Sequence, residues 1–535
     1  MIDFPPAKQE SLRKYRTEFD ATVGKLKRAM MDAFVRELRV NTNAFGELGG
    51  RFLIKDDYYE LVTAGWSYKI VRPDDHGVGG GALKIEQHST NPYGSPQDLL
   101  PSSVRNGCQA LFAGIESWVD DKVEKWKDLP DYEDFTNIAN QYQEVSKILS
   151  LNSGHLSGHI KTLEDCLGHP DLTGETIISF QDTFVNLMRP VLVNYGAVVA
   201  VLTSHFQAQH GLWVGGRAGF IDIVEEYTRV FNDMAQDPGT FDATIIIRAF
   251  QYAAAVAGVG SVAGALNWAA QTLTLMHLSA QQPSKRVNKS PGSLSEGMTA
   301  LASALWELND NIYDAEKEIR EIAYDNLDII GQEGGIDADG NFRVPVRKNL
   351  ELILEPMEKF DMTHPEAIGM DGDLIKAIID IPMKSVAEEL HTLLRTTTTY
   401  DDEITDYARR DERVGVGRYG PSHVLHELNE VVCDLLRTLK WKVEQGGQQL
   451  WLAYQAHVSA DGQAAIELAA LNAKLAAGSG FDPWDYQTSS ASPLPQICPM
   501  WVKNMTPGYA DEFSNRPTDP VQVEPEDYLW REHKR

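Results

Sequence analysis

Cysteine is scarce: Cys108, Cys166, Cys433 and Cys498 are the only four in 535 residues, scattered and without a Cys-x-x-Cys pair. That spacing excludes a disulfide framework and a cysteine-rich zinc module, and it fits folding in a reduced, cytoplasmic compartment. Positive charge is also in deficit, with 49 Lys and Arg against 77 Asp and Glu and a formal charge of −28. So acidic a surface repels phosphate backbones and anionic lipid heads, which excludes nucleic acid as a partner. Residues Met1 to Glu10 hold no basic segment followed by an apolar run, so export is expected to use a route without a cleavable signal peptide. Gly-x-Ser-x-Gly and P-loop motifs are missing; nothing calls for a cofactor or identifies a small-molecule substrate. The glycine-rich run Gly77 to Gly81 lacks the Lys-Ser/Thr that would hold phosphate and metal, and it reads as a flexible turn.

Against these absences, 43% of the residues are hydrophobic and 24% charged, ordinary for a folded chain. The length exceeds what a single core usually supports, so about two to four domains are expected. Apolar residues recur at steps of three and four over 7–39, 101–167 and 365–478, the spacing of amphipathic helices. Between about 45 and 100 the chain holds short β-prone pieces such as Arg51 to Ile54 and Tyr68 to Val71, read as two or three strands. Residues 249–280 are the least polar, with a small-x-x-x-small pattern from Gly260 to Gly264, but Gln251, Asn267 and Gln271 interrupt them. A buried central helix fits this pattern better than a membrane span.

Two longer patterns carry the functional expectation. Ile177, Phe180, Phe184, Leu187, Val191, Tyr195, Val198, Leu202 and Phe206 form one helical face, and Phe220 to Met234 form another. Between them lies Gly211-Leu212-Trp213-Val214-Gly215-Gly216-Arg217-Ala218-Gly219-Phe220, which reads as the turn of a helical hairpin because its glycines permit positive φ. Further on, Leu294, Met298, Leu301, Leu305, Leu308, Ile312, Ala315, Ile319 and Ile322 keep a heptad spacing, the mark of a coiled-coil-like helix with a seam for a helical partner, another chain or a helix of this one.

With Trp213 and Gly215 in that position, the stretch resembles the WXG superfamily of helical-hairpin proteins secreted by type VII systems, over about residues 175–335. The resemblance implies a Trp-x-Gly turn joining two helices that pair with a partner hairpin. It also implies a Tyr-x-x-x-Asp/Glu secretion signal, for which Tyr324 with Asp328 and Tyr407 with Asp411 are the available pairs.

Metal chemistry has one candidate set, His155 and His159 one helical turn apart with Cys166 and His169 to follow, a ligand selection that zinc accepts. His423 and His426 beside Glu427 are the other place where an enzyme or toxin active site is conceivable, though His-Glu-x-x-His is not formed. Asp337 to Asn341 looks like an incomplete calcium loop, with Lys348 where its last acidic ligand belongs, so a turn is favoured.

The expected fold is mainly α, with several long antiparallel hairpins, a small mixed α/β amino-terminal segment and an irregular carboxyl-terminal tail. Four segments are expected: 1–100, an amino-terminal helix plus the mixed segment; 101–345, a helical bundle with the WXG-like hairpin and the coiled-coil-like helix; 346–480, a helical region; and 481–535, an extended tail. The expected function is non-enzymatic interaction as a type VII substrate or assembly component, cytoplasmic before export. Trp213, Gly215, Tyr324 and Asp328 form its motif, and Leu301, Leu305, Leu308, Ile312 and Ile319 its seam for a helical partner or for self-association. A self-assembling structural protein is the remaining class.

Overall fold

A computed structural model of the chain describes residues 6–40, 51–63, 65–87, 100, 102–236, 293–331 and 371–458, with short strand segments at 243–247, 252–256, 274–278, 285–289, 335–336 and 342–343. The described residues are mainly helical, with a small antiparallel sheet near the amino terminus. Helix α1 (Pro6–Val40) buries Phe19, Leu26, Met30 and Phe34, the apolar face its spacing predicts. Four strands rather than two or three follow: β1 (Arg51–Ile54), β2 (Tyr58–Thr63), β3 (Trp66–Val71) and β4 (Leu83–Gln87), paired antiparallel in chain order. Tyr59 and Leu61 on β2 and Tyr68 and Ile70 on β3 point inward at the strand period of two. Tyr59 Oη and Arg72 Nε both donate to Asp32 Oδ1, at 2.6 Å and 3.0 Å, fastening the sheet to α1.

Helices α2 (Ser102–Arg105), α3 (Gln109–Val123), α4 (Tyr132–Leu149), α5 (Leu156–Leu167) and α6 (Glu175–Phe180) come next. A π-helical turn, Gln181–Val185, leads into α7 (Asn186–Gln236), 51 residues long, which at about 1.5 Å per residue spans roughly 75 Å. The chain then gives β5 (Ala243–Ile247), β6 (Tyr252–Val256), β7 (Thr274–Leu278), β8 (Lys285–Lys289), α8 (Leu294–Gly331) and the short strands β9 (Gly335–Ile336) and β10 (Phe342–Arg343). The last helices are α9 (Gly372–Ile378), α10 (Lys384–Thr399), α11 (Asp401–Tyr407) and α12 (Ser422–Val458), with a second π turn at Ile379–Met383.

Helix α7 is the axle of this arrangement. Phe19 of α1 stacks on its Phe220 with ring centres 5.1 Å apart, and Tyr142 of α4 meets its Phe206 at 5.5 Å. Helix α8 runs antiparallel to it: Gly297 lies against Phe231, Leu308 against Gly219 and Ile312 against Gly216. One buried cluster extends from Tyr15 to Leu450, so the segments 1–100, 101–345 and 346–480 all contribute to a single core. The stretch Thr176–Gln236 is long and apolar enough to cross a bilayer, and 67% of its most apolar window is buried inside the protein, as befits the core helix of a bundle.

Two expectations are corrected here. First, no hairpin turn exists at 211–220: Gly211 to Phe220 continue without a break inside α7. Gly216 and Gly219 serve close approach of the α8 side chains, and Trp213 is fully buried with its indole N–H donating to Gln209 Oε1 one turn back at 3.1 Å. Gly215 is likewise a buried helical residue, so Trp213 and Gly215 reverse no chain direction. Leu301, Leu305, Leu308, Ile312 and Ile319 are buried among this chain's own helices, one of the two occupants expected for the heptad seam. Second, within the segment 249–280 expected as a central helix, Tyr252–Val256 and Thr274–Leu278 are strands paired antiparallel. The remainder of that segment and the tail expected at 481–535 lie outside the described residues.

Because Trp213 fills the core rather than capping a turn, Trp213→Ala is expected to lower the free energy of unfolding in urea by about 3–5 kcal/mol. Its neighbour Val214 is 37% exposed, and Val214→Ala should cost under about 1 kcal/mol. Equal, small losses at both positions would contradict the buried placement.

Candidate functional site

The segment joining α11 to α12 reads Ala408-Arg409-Arg410-Asp411-Glu412-Arg413-Val414-Gly415-Val416-Gly417-Arg418-Tyr419-Gly420-Pro421. Alternating apolar and cationic side chains divide it: Val414 and Val416 turn into the core, while Arg409, Arg413 and Arg418 stay exposed. Arg410 is the exception, a fully buried guanidinium that pairs with the equally buried Glu316 of α8. Its Nε donates to Val414 O at 2.9 Å and its Nη1 to Ala408 O at 3.2 Å, and its plane lies over the Trp213 ring at 4.7 Å. The Glu316 carboxylate also accepts from the Val416 N–H at 2.9 Å. Two turns earlier on α8, Asn309 accepts from the Gly415 N–H at 2.8 Å and donates to Arg413 O at 2.9 Å.

Burial pushes the Glu316 carboxyl above its usual range, with Arg410 and the Val416 N–H opposing that shift. The other carboxylate oxygen, Oε1, has no hydrogen-bond partner among the described residues. Gly415 and Gly420 hold φ of +61° and +54°, and a side chain at either would run into the Glu316 carboxylate. Glycine is therefore required twice over, for conformation and for space.

Beside this anchor the loop forms one wall of a cleft of about 580 Å³. The opposite wall is the stretch from Glu124 to Asp134, where a 3₁₀ turn, Glu124–Trp126, ends α3 and Asp131 caps α4 by accepting from the Glu133 N–H at 3.1 Å. Arg217 of α7 supports that wall from within: it donates to Leu129 O at 2.9 Å, lies over Tyr15 at 4.6 Å and approaches Asp131 at 3.8 Å. Several lining charges are matched, Arg16 with Asp128 at 2.7 Å, Lys127 with Asp20 at 3.0 Å and Arg413 with Asp411 at 2.8 Å. Lys125, Arg409 and Arg418 line the cleft with no side-chain ion pair or hydrogen bond among the described residues. The Lys125 ammonium is pushed down to about 8, first by burial and then by the nearby Arg413.

The residues singled out by sequence are spread around this site rather than gathered in it. His155 and His159 lie at the start of α5 with ring centres 6.2 Å apart, Cys166 is in its last turn, and His169 lies beyond it, 3.5 Å from Asp171. From His159 to Cys166 the helix rises about 10 Å, so the four side chains do not converge. Among the described residues no group of three or more His, Cys, Asp or Glu is arranged to hold a metal ion. His423 faces Glu427 at 2.9 Å and His426 faces Glu430 at 3.3 Å, two parallel pairs at the start of α12. Tyr324 is half-buried and Asp328 exposed in the last turns of α8, whereas Tyr407 donates to Glu403 and, with Asp411, lines the cleft.

Sequence inspection missed Glu316, Arg410, Lys125 and Arg418. One signal was present: Glu316 sits on the apolar side of the heptad helix between Ala315 and Ile319, and a charge on a buried face demands a buried counter-charge. Comparison with protein-family models, curated proteins and solved structures finds no match to this chain.

Glu316→Ala would leave the Arg410 guanidinium buried without its carboxylate, and equilibrium unfolding is expected to show a loss of about 3–5 kcal/mol. Glu316→Leu combined with Arg410→Met should recover most of that, since a matched apolar pair carries no stranded charge. A loss under about 1 kcal/mol for the single substitution would mean that the pair does not hold the loop.

Proposed function

We propose that the protein is a non-enzymatic helical interaction protein, a substrate or assembly component of type VII secretion, with Tyr324 and Asp328 as its recognition element. The observation that carries the proposal is the division of α8 into two parts. Its heptad seam is consumed inside the protein, while Tyr324 and Asp328, one turn apart and on one face, remain accessible in its last turns. A helical partner therefore docks at the carboxyl end of α8 and not along Leu301 to Ile319.

Electrostatics supports a recognition role for that end. Asp325 and Asp328 lie near the helix carboxyl terminus, whose last turn holds no basic residue. Carboxylates there oppose the helix dipole at a cost of about 0.3–1 kcal/mol each. A cationic group on a partner facing Asp325 would lessen that cost. The Tyr324 ring, with the Arg320 guanidinium 5.2 Å from its centre, supplies an amphipathic contact beside it. Trp213 does not join this surface, so the recognition element here consists of the tyrosine and the aspartate.

Tyr324→Ala and Asp328→Asn should each reduce export from a type VII-competent host, or capture of a purified helical partner, by about tenfold, equivalent to about 1.4 kcal/mol of recognition. Circular dichroism should stay unchanged, and Asp328→Asn should be as stable as the parent or slightly more so. Undiminished export and partner capture in both variants would overturn the proposal.

A further inference from the structure

We propose that the cleft between the Glu124–Asp134 wall and the 406–418 wall is a binding site for a small multivalent anion carrying phosphate or carboxylate groups. The site is independent of the recognition element on α8, and either can fail without the other.

Lys125 comes from one wall, and Arg409 and Arg418 from the other. Their side chains lack ion-pair partners among the described residues, in a chain where acidic residues outnumber basic ones by 77 to 49. With so many carboxylates to choose from, unpaired cations facing one another across a cleft leave a gap that a ligand can fill. Guanidinium groups suit it, since their planar forks engage phosphate or carboxylate oxygens in pairs. A volume of about 580 Å³ falls within the usual range of small-molecule sites, about 300–1,000 Å³, and exceeds what a single halide needs.

Three of the cleft's six acidic residues are engaged by neighbours described above. Asp128 is held by Arg16, Asp411 by Arg413, and Asp131 by the Glu133 N–H and Arg217. Glu124, Asp134 and Asp406 also line it and oppose an anion, which favours a ligand with more than one anionic group that reaches both Lys125 and the arginine wall. The chain's overall negative charge is a weaker obstacle, because screening over about 8 Å at physiological ionic strength leaves the nearby cations dominant. Two cations also gain directly: Arg413 presses on Lys125, with Asp411, Lys122 and Asp121 the other charges acting on it. An anion seated between Lys125 and Arg413 turns that repulsion into two attractions. The loop is already fixed in place by Arg410 and Glu316, so binding need not order it.

The test is calorimetric titration of the full chain at low ionic strength with inorganic pyrophosphate and, separately, with citrate. Saturable one-to-one binding of at least one probe is expected, weakened by added sodium chloride. Lys125→Met and Arg418→Gln should each reduce affinity about tenfold or more, with an unchanged circular dichroism spectrum. Arg409→Gln replaces either variant that fails to fold. Affinity in the parent should also fall as pH rises through about 8, where Lys125 loses its charge, and that dependence should vanish in Lys125→Met. Absence of binding by both probes, or binding that is the same in the folded variants as in the parent, would overturn the proposal.

Discussion

The arrangement depends on one buried ion pair. Glu316 and Arg410 lie 94 positions apart in sequence and are both withdrawn from water, a placement that costs several kcal/mol per ion unless each charge is met by partners. Arg410 meets its cost with the Glu316 carboxylate, two loop carbonyls and the Trp213 ring; Glu316 meets part of its own with Arg410 and the Val416 N–H. Since these partners come from α7, α8 and the loop before α12, the pair sets the relative position of all three. The glycines at 415 and 420 follow from it, because the backbone must pass against the carboxylate where no side chain fits.

From that anchor the surface chemistry follows. Pinned at Arg410, the loop that bears Arg409, Arg413 and Arg418 lines one cleft together with Lys125. Helix α8 combines two roles, burying Leu301 to Ile319 against α7 and leaving Tyr324 and Asp328 accessible at its end. The buried part supplies stability to the core.

Much of the helical framework was legible in the sequence because it rests on local periodicity. The pattern over 7–39 appears as Pro6–Val40, and every leucine and isoleucine of the heptad from Leu301 to Ile319 is buried. Glycines were the ambiguous letters. In Gly215-Gly216-Arg217-Ala218-Gly219 they permit a turn or a close helix contact equally well, and only the position of α8 beside them decides for contact. The alanine-rich segment around 253 misled for a related reason: strand pairing between Tyr252–Val256 and Thr274–Leu278 is a non-local choice that composition does not announce. The site was the least legible, since Lys125 and Arg418 acquire meaning only through a fold that brings positions about three hundred residues apart to one cleft.

Native-state hydrogen exchange of the 408–421 loop tests this account most directly. The amides of Arg410, Gly415 and Val416 donate to Arg418 O, Asn309 Oδ1 and Glu316 Oε2. They should therefore exchange as slowly as the core amides of α7, through global rather than local opening. Exchange of these three at the rate of an open loop, with α7 still protected, would contradict the claim that the buried pair holds the structure together at this point.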